Sequence, residues 1–264
     1  MKLKVMDLEK GKVNIEIGEK KFFRDPIFFA GPCSVEEYET MRKIASSLKE
    51  IGVDVLRGGA YKPRTSPYDF QGLKDDGLRI LKAIKDEFNM VISTEILDVR
   101  DLEKAMDVVD IIQIGSRNMY NYVLLEEAGK LGKPVILKRG FSATVFEWLN
   151  AAEYIMKEGN EKIILCERGI RTFETTTRNT LDLNSVAYIR EHGRLPVIVD
   201  PSHGTGVRAL VKPMALAGIM AGASGLIIET HIDPKKASSD AAQTIDIETL
   251  KDIILKTNEI WRYV

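Results

Sequence analysis

The sequence predicts a single α/β domain, a closed (β/α)8 TIM barrel preceded by a short N-terminal β-hairpin. Three observations carry that prediction. Eight short apolar or β-branched runs recur along the chain, their starts 21 to 37 residues apart, which is the spacing a strand, a helix and two connecting loops require. Several of these runs, such as PVILK at 134–138, PVIVD at 196–200 and GLIIE at 225–229, are apolar throughout, as parallel strands buried on both faces are. The stretches between them carry apolar residues three and four apart, the period of a surface helix.

Residues 1–25 form the N-terminal extension. KVNIEIG at 12–18 and KKFFRD at 20–25 alternate on either side of a glycine-containing junction, so a hairpin is expected to cap the amino-terminal end of the barrel. The barrel domain is 26–264. Its strands are expected at 27–30, 53–57, 90–94, 111–115, 134–138, 163–167, 196–200 and 225–229. Helices are expected at 36–50, 74–87 and 142–157, with a final one at 246–260. Eight units in this length match a closed barrel. An open doubly wound sheet is the alternative, but RGGAYK at 57–62 lacks both the three-glycine dinucleotide spacing and the GK[ST] of a P-loop.

Composition narrows the partners. Lys and Arg total 38 against 39 Asp and Glu, a net charge of −1, which disfavours a surface that neutralises nucleic-acid phosphates but leaves room for a local basic pocket. Two cysteines make no disulfide scaffold and remain free for metal or chemistry. The start, MKLKVMDLEKGKVN, has no signal-peptide apolar run, and no stretch reaches the roughly 18 apolar residues that span a bilayer. A cytoplasmic protein without membrane or nucleic-acid partners is expected.

Polar residues collect at the C-terminal ends of the strands, which a closed barrel gathers around one mouth. They include AGPCS at 30–34, Arg57, KPRTS at 62–66, Glu95, GSR at 115–117, Lys138, Glu167 with Arg168, DPSH at 200–203 and Glu229. Arg57, Lys62, Arg64, Arg117, Lys138 and Arg168 outnumber the acids available to pair with them, so a strongly anionic ligand is implied, one phosphate and one carboxylate with room for a second phosphate. Barrel closure sets the first strand beside the eighth. It thereby brings Cys33 within reach of His203, Glu229 and Asp240, a thiolate, imidazole and carboxylate set suited to manganese, iron, cobalt or zinc. The same residues also read as a small core hydrophobe, a loop cap and solvated acids. Cys166 reads as packing, His192 and His231 as structural or supporting residues. Trp148, Tyr154 and Trp261 read as buried apolar area. GTG at 204–206 reads equally as an anion-binding backbone or a tight loop entering a helix, and 232–243 as a long polar loop over the mouth.

LRGGAYKPRTSPYDFQG at 56–72, GPCS at 31–34, CERG at 166–169 and DPSHGTG at 200–206 resemble the metal-dependent class I 3-deoxy-D-arabino-heptulosonate 7-phosphate synthases, closest to their compact prokaryotic branch, from about residue 12 to the end. The resemblance implies condensation of phosphoenolpyruvate with erythrose 4-phosphate and release of phosphate, the first step of the shikimate route to aromatic amino acids. It implies one divalent metal ion per subunit on Cys33, His203, Glu229 and Asp240. Arg57, Lys62 and Lys138 would then face the carboxylate of phosphoenolpyruvate, and Arg117 and Arg168 its phosphate. Arg64 and Thr65 would hold the aldose phosphate. Lys62, Glu95 and His203 are the implied catalytic residues, Lys62 in proton transfer near the aldehyde and Glu95 in organising water. Ser116 replaces an alanine frequent in relatives, and its backbone donor can still face phosphate. A homo-oligomer, dimer or tetramer, is implied, and feedback inhibition through an appended domain is not expected. A sister family makes 3-deoxy-D-manno-octulosonate 8-phosphate from arabinose 5-phosphate. Its acceptor motif generally reads Lys-Ala-Asn-Arg-Ser/Thr-Ser where this chain has Lys62-Pro63-Arg64-Thr65-Ser66, which favours the four-carbon aldose. The further alternatives are a lyase forming a Schiff base on Lys138 and a noncatalytic phosphosugar-binding barrel.

Overall fold

A computed structural model describes residues 3–64 and 66–264. Among them, eight parallel strands close into a barrel: β3 (Ile27–Gly31), β4 (Val55–Arg57), β5 (Val91–Ile96), β6 (Ile111–Ile114), β7 (Val135–Lys138), β8 (Ile163–Glu167), β9 (Val197–Val199) and β10 (Gly225–Glu229). Each pairs with its neighbours in sequence, and β10 closes the ring on β3 through five residue pairs from Gly225↔Ile27 to Glu229↔Gly31. With the sole exceptions of Val91 and Glu95, every strand residue is buried, because the barrel interior covers one face and the helices the other. The predicted fold class is the observed one.

The N-terminal hairpin pairs β1 (Glu16–Ile17) with β2 (Lys20–Lys21), antiparallel about a turn in which Gly18 has φ +60°. It buries Val13, Ile15, Ile17 and Phe22. Residues 14–18 share a cavity wall with Val91, Ile111, Pro134 and Lys162, which stand at the starts of barrel strands or just before them. The hairpin therefore lies across the amino-terminal end, away from the mouth. The Val13 amide donates to Arg194 O at 2.9 Å and Lys20 pairs with Asp54 at 2.9 Å, fastening it there.

Helices α1 (Tyr38–Glu50), α2 (Asp75–Phe88), α3 (Val99–Ala105), α4 (Tyr122–Lys130), α5 (Val145–Lys157), α6 (Leu183–His192), α7 (Pro201–Thr205), α8 (Arg208–Met220) and α9 (Ile247–Ile260) surround the barrel. Helix α5 starts three residues later than expected because Thr144 and Glu147 form a reciprocal capping box: Thr144 Oγ1 accepts from the Glu147 amide, and Glu147 Oε2 from the Thr144 amide. Strands β7 and β9 begin after Pro134 and Pro196, which lack an N–H for the ladder but still accept from Ile112 and Leu165 through their carbonyls. Strand β5 runs two residues further than expected, since Glu95 and Ile96 stay in register with Gln113 and Ile114. Trp148 is fully buried with its indole N–H on Leu137 O, Tyr154 stacks on Tyr122, and Trp261 donates to Arg24 O, all structural uses. Among the described residues, no helix is long and apolar enough to cross a membrane.

Candidate active site at the barrel mouth

The barrel geometry delivers four donor side chains to one point. Cys33 follows β3, Glu229 ends β10, His203 sits in α7 immediately after β9, and Asp240 lies in the loop after β10. One ligand atom from each lies within 4.8 Å of the other three. Donors bound about 2.0–2.3 Å from one centre stand at most about 4.6 Å apart, so this constellation nearly has the spacing a single ion imposes. The donor set also fits: one soft thiol, one imidazole and two carboxylates, the mixture that suits a divalent transition ion.

Each donor is aimed by a partner. Asp200 caps α7, accepting the His203 amide on Oδ1 at 2.9 Å, while its Oδ2 lies 2.7 Å from His203 Nδ1 and 2.6 Å from Lys138 Nζ. Burial lowers the pKa of His203 and favours the neutral ring; assigning its proton to Nδ1, facing Asp200, leaves Nε2 as a lone-pair donor 3.3 Å from Glu229 Oε1. Burial works against ionisation of Asp200, yet His203 and Lys138 hold its carboxyl well below the usual range. Burial likewise opposes charge on Glu229, and His203 and Arg57 outweigh it and lower its pKa. Burial, then the Glu229 charge, pushes the Cys33 thiol up to about 12 against the pull of Lys62. The thiol donates to Asp240 Oδ2 at 2.9 Å, and Lys62 Nζ stands 2.9 Å from the same sulfur. Asp240 is held at about 2: burial opposes, but the Cys33 hydrogen bond and His203 dominate.

From this cluster a cavity of about 230 Å³ opens outward. His203 and Asp240 form one side of it, and Lys62, Arg64, Glu95, Ser116, Arg117, Lys138 and Arg168 line the rest. Glu95 leans so closely on Gly115 that a Cβ there would fall 1.9 Å from its Oε1. The Phe141 ring gathers guanidinium groups by cation–π contact, with Arg168 at 4.8 Å, Arg171 at 4.9 Å and Arg117 at 5.4 Å from its centre. Burial depresses the pKa of Arg168, the signature of a cation kept from water.

The structure thus brings the predicted residues together with three exceptions. Arg57 is buried beneath the cavity floor and does not line it, its Nη1 on Pro32 O at 2.8 Å and Glu229 Oε1 at 3.4 Å. Glu167 belongs to the barrel wall, bonded to Arg139 and the Gly169 amide. Thr65 lies outside the described residues. GTG serves structure: the Gly204 and Gly206 amides are spent on Asp200 O and Ser202 O inside and at the end of α7. His231 faces Glu36 at 3.3 Å, and Cys166 is core. The loop over the mouth is tied to the β3–α1 loop, its Ser238 amide on Glu36 Oε1 and Ser239 on Ser34. Sequence reading placed Asp200 at the mouth within DPSH but gave it no role, and it missed Phe141, Arg178 and Gln243. Only Asp200 carried a signal, an Asp-Pro at a helix start three residues before a histidine.

A ring of cations beside a four-donor cluster, at the C-terminal mouth of a TIM barrel, defines a class: barrels that bind small anions next to a metal-type centre. The chain belongs to the DAHP synthetase I family, whose model matches residues 6–262. It is 51% identical over 247 residues to the phospho-2-dehydro-3-deoxyheptonate aldolase of Thermotoga maritima, covering 94% of this chain and 72% of that protein. A crystal structure of the Thermotoga maritima enzyme superposes with a TM-score of 0.90 at 50% identity, over 94% of this chain and 73% of that one. A truncated form of the 3-deoxy-D-arabino-heptulosonate 7-phosphate synthase from the same organism gives 0.88 at 45%, over 96% and 94%. The 2-dehydro-3-deoxyphosphooctonate aldolase of Thioalkalivibrio sulfidiphilus is 30% identical over 87% of this chain and 88% of its own. Family membership and the donor cluster together support catalytic, metal-related activity.

Proposed function

We propose that this chain condenses phosphoenolpyruvate with D-erythrose 4-phosphate and water, forming 3-deoxy-D-arabino-heptulosonate 7-phosphate and phosphate at the head of the shikimate pathway. One observation carries the reading: two members of the four-donor cluster, His203 and Asp240, line the same cavity as Lys62, Arg64, Arg117, Lys138 and Arg168, so two phosphorylated reactants can be held beside the cluster together. Cys33, His203, Glu229 and Asp240 are the residues for manganese, iron, cobalt or zinc, which when bound supplies Lewis-acid polarisation of the acceptor carbonyl oxygen.

The rest falls to the chain. Arg117 and Arg168, both packed on Phe141, take the phosphate of phosphoenolpyruvate. Lys62 and Lys138 face its carboxylate, with Arg57 adding charge from below. Arg64 and Thr65 hold the aldose phosphate, and the Ser116 amide adds a donor. Fixing both reactants in one cavity removes the orientational cost of their encounter. The fixed cations meet departing phosphate charge without reorganising bulk water. As the third carbon of phosphoenolpyruvate bonds to the aldehyde carbon, Lys62 protonates the new alkoxide oxygen. Glu95, at the cavity wall, orients the water that adds to the second carbon. One proton of that water restores Lys62, and the other leaves with phosphate as the C2–O bond to phosphate breaks and the ketone forms.

The four-carbon aldose is chosen over arabinose 5-phosphate on Pro63-Arg64 and on the higher identity to the heptonate enzyme than to the octonate one. A Schiff-base lyase is disfavoured because Lys138 is engaged in an ion pair with buried Asp200. Cytoplasmic location and assembly as a dimer or tetramer belong to the same proposal. Metal-stripped protein reconstituted with manganese or zinc, given phosphoenolpyruvate and each aldose in turn, should form the seven-carbon product by mass. Formation of only the eight-carbon product, or borohydride trapping of substrate on Lys138, overturns the proposal.

A further inference from the structure

The two carboxylates of the donor cluster are each gripped on the oxygen turned away from the cluster, while Arg57 Nη1 also reaches the inner oxygen of Glu229, Oε1, at 3.4 Å. Arg178 Nη1 donates to Asp240 Oδ1 at 3.2 Å and to Gln243 Oε1 at 3.1 Å. Gln243 Nε2 in turn donates to Glu229 Oε2 at 2.6 Å. The opposite oxygens are the ones that face the cluster: Asp240 Oδ2 lies 2.9 Å from Cys33 Sγ, and Glu229 Oε1 3.3 Å from His203 Nε2. From these contacts the structure assigns Arg178 and Gln243 as a positioning pair that presents Asp240 and Glu229 to the metal through one oxygen each. The assignment rests on the metal reading of the cluster proposed above.

The backbone is built for this pair. Asp240 has a left-handed conformation, φ +52°, and its carbonyl accepts the amides of both Gln243 and Thr244, a turn that sets the Gln243 side chain beside the Asp240 carboxylate. Arg178 comes from the β8–α6 loop, where its amide donates to Thr205 O at 2.9 Å. Its stem runs against Gly206, where a Cβ would come within 2.6 Å of Arg178 Cβ; that glycine also sits at φ +70°, so larger residues are excluded twice. A glutamine suits the middle position because it accepts from the guanidinium with one atom and donates to a carboxylate with another. Glutamate there would lack the donor and repel Glu229, and leucine would lack both. A free carboxylate rotates between one-oxygen and two-oxygen ligation; a carboxylate with its second oxygen occupied does not, which fixes the coordination number and leaves positions open for substrate.

Cobalt(II) is the probe, because its visible absorption reports coordination number and its thiolate charge-transfer band reports Cys33. Metal-free protein is titrated with cobalt(II) against a competing chelator, for wild type, Gln243→Leu and Arg178→Lys. Both variants are expected to bind cobalt about 10–100-fold more weakly, the usual loss for a support behind a ligand. Both are also expected to show visible bands shifted from wild type while the thiolate band persists. Circular dichroism confirms folding, and Arg178→Lys, at a half-exposed side chain, carries the test if Gln243→Leu does not fold. Wild-type affinity and an unchanged visible spectrum in the folded variants overturn this assignment and leave the reading of the cluster standing. Failure of wild-type protein to bind cobalt with a thiolate band overturns both.

Discussion

In the proposed metal centre Cys33 would set the metal preference, because it is the one soft donor among nitrogen and oxygen groups. Replacing it by serine keeps the size but substitutes a hydroxyl that does not ionise near neutrality. Cys33→Ser should therefore weaken zinc and cobalt binding by about 10–100-fold, and weaken manganese less, measured by chelator competition. Undiminished binding of all three metals would show that the sulfur is not a ligand. Lys62 sits between this sulfur and the cavity, 2.9 Å from Cys33 Sγ and 3.1 Å from its carbonyl. Lys62→Met preserves the stem and removes the charge. Turnover of phosphoenolpyruvate with erythrose 4-phosphate should fall by about 10²–10³, the cost of deleting one preorganised donor, with the melting temperature held near wild type. Normal turnover would remove Lys62 from the reaction. Residues of this kind were legible in the sequence because a closed barrel gathers the loops that follow its strands around one mouth, although Arg57 and Glu167, at strand ends themselves, turn away from the cavity. Arg178 and Gln243 were not, because their use depends on the turn at Asp240 and on a loop crossing from β8, neither of which has a periodic signature.

Between elements, the densest buried charge outside the mouth joins β7, β8 and the start of α6. Arg139, just after β7, donates through Nη1 to Glu167 Oε2 at 2.9 Å and to Asp182 Oδ2 at 2.8 Å, while its Nε donates to Ala143 O. Its guanidinium also lies 5.8 Å from the Trp148 ring centre. Glu167 has no accessible surface, and burial raises its pKa against the pull of Arg139. Removing only the arginine strands this carboxylate. Arg139→Met should destabilise the fold by about 3–5 kcal/mol, read from the urea midpoint, and Glu167→Leu added to it should recover much of the loss. If the double variant is no more stable than the single, the packing of Arg139 rather than its charge is what holds these elements. The strand and helix pattern that these contacts knit together was readable from apolar periodicity. The edges were not. Thr144 with Glu147, and Asp200 with Pro201, decide where α5 and α7 begin through side-chain-to-backbone bonds that apolar spacing does not encode. Strand β4 is shorter than the apolar run that predicts it for a different reason, a backbone one: the Val53 amide is still bonded to the last turn of α1, donating to Leu48 O.

At the scale of the molecule, the donor cluster sits on the seam where the chain closes on itself. Cys33 follows the first barrel strand, and His203, Glu229 and Asp240 come from the last two βα units, so an ion bound as proposed would cross-link residues 33 and 240 over the β10–β3 junction. A ligand that binds only the folded state stabilises it by about 2.7 kcal/mol at 100 times its dissociation constant. For a chain of this size each kcal/mol moves the melting temperature by about 2–4 °C, so saturating zinc or cobalt should raise that of stripped protein by about 5–10 °C, and a chelator should reverse the gain. Cys33→Ser should flatten this rise at the same metal concentration. Arg139→Met should melt earlier but keep the full increment, because the Arg139 side chain bonds Glu167, Asp182, Ser185 and Ala143 and none of the four donors. A metal-independent melting temperature in the wild-type protein would mean that no ion joins the first strand to the last.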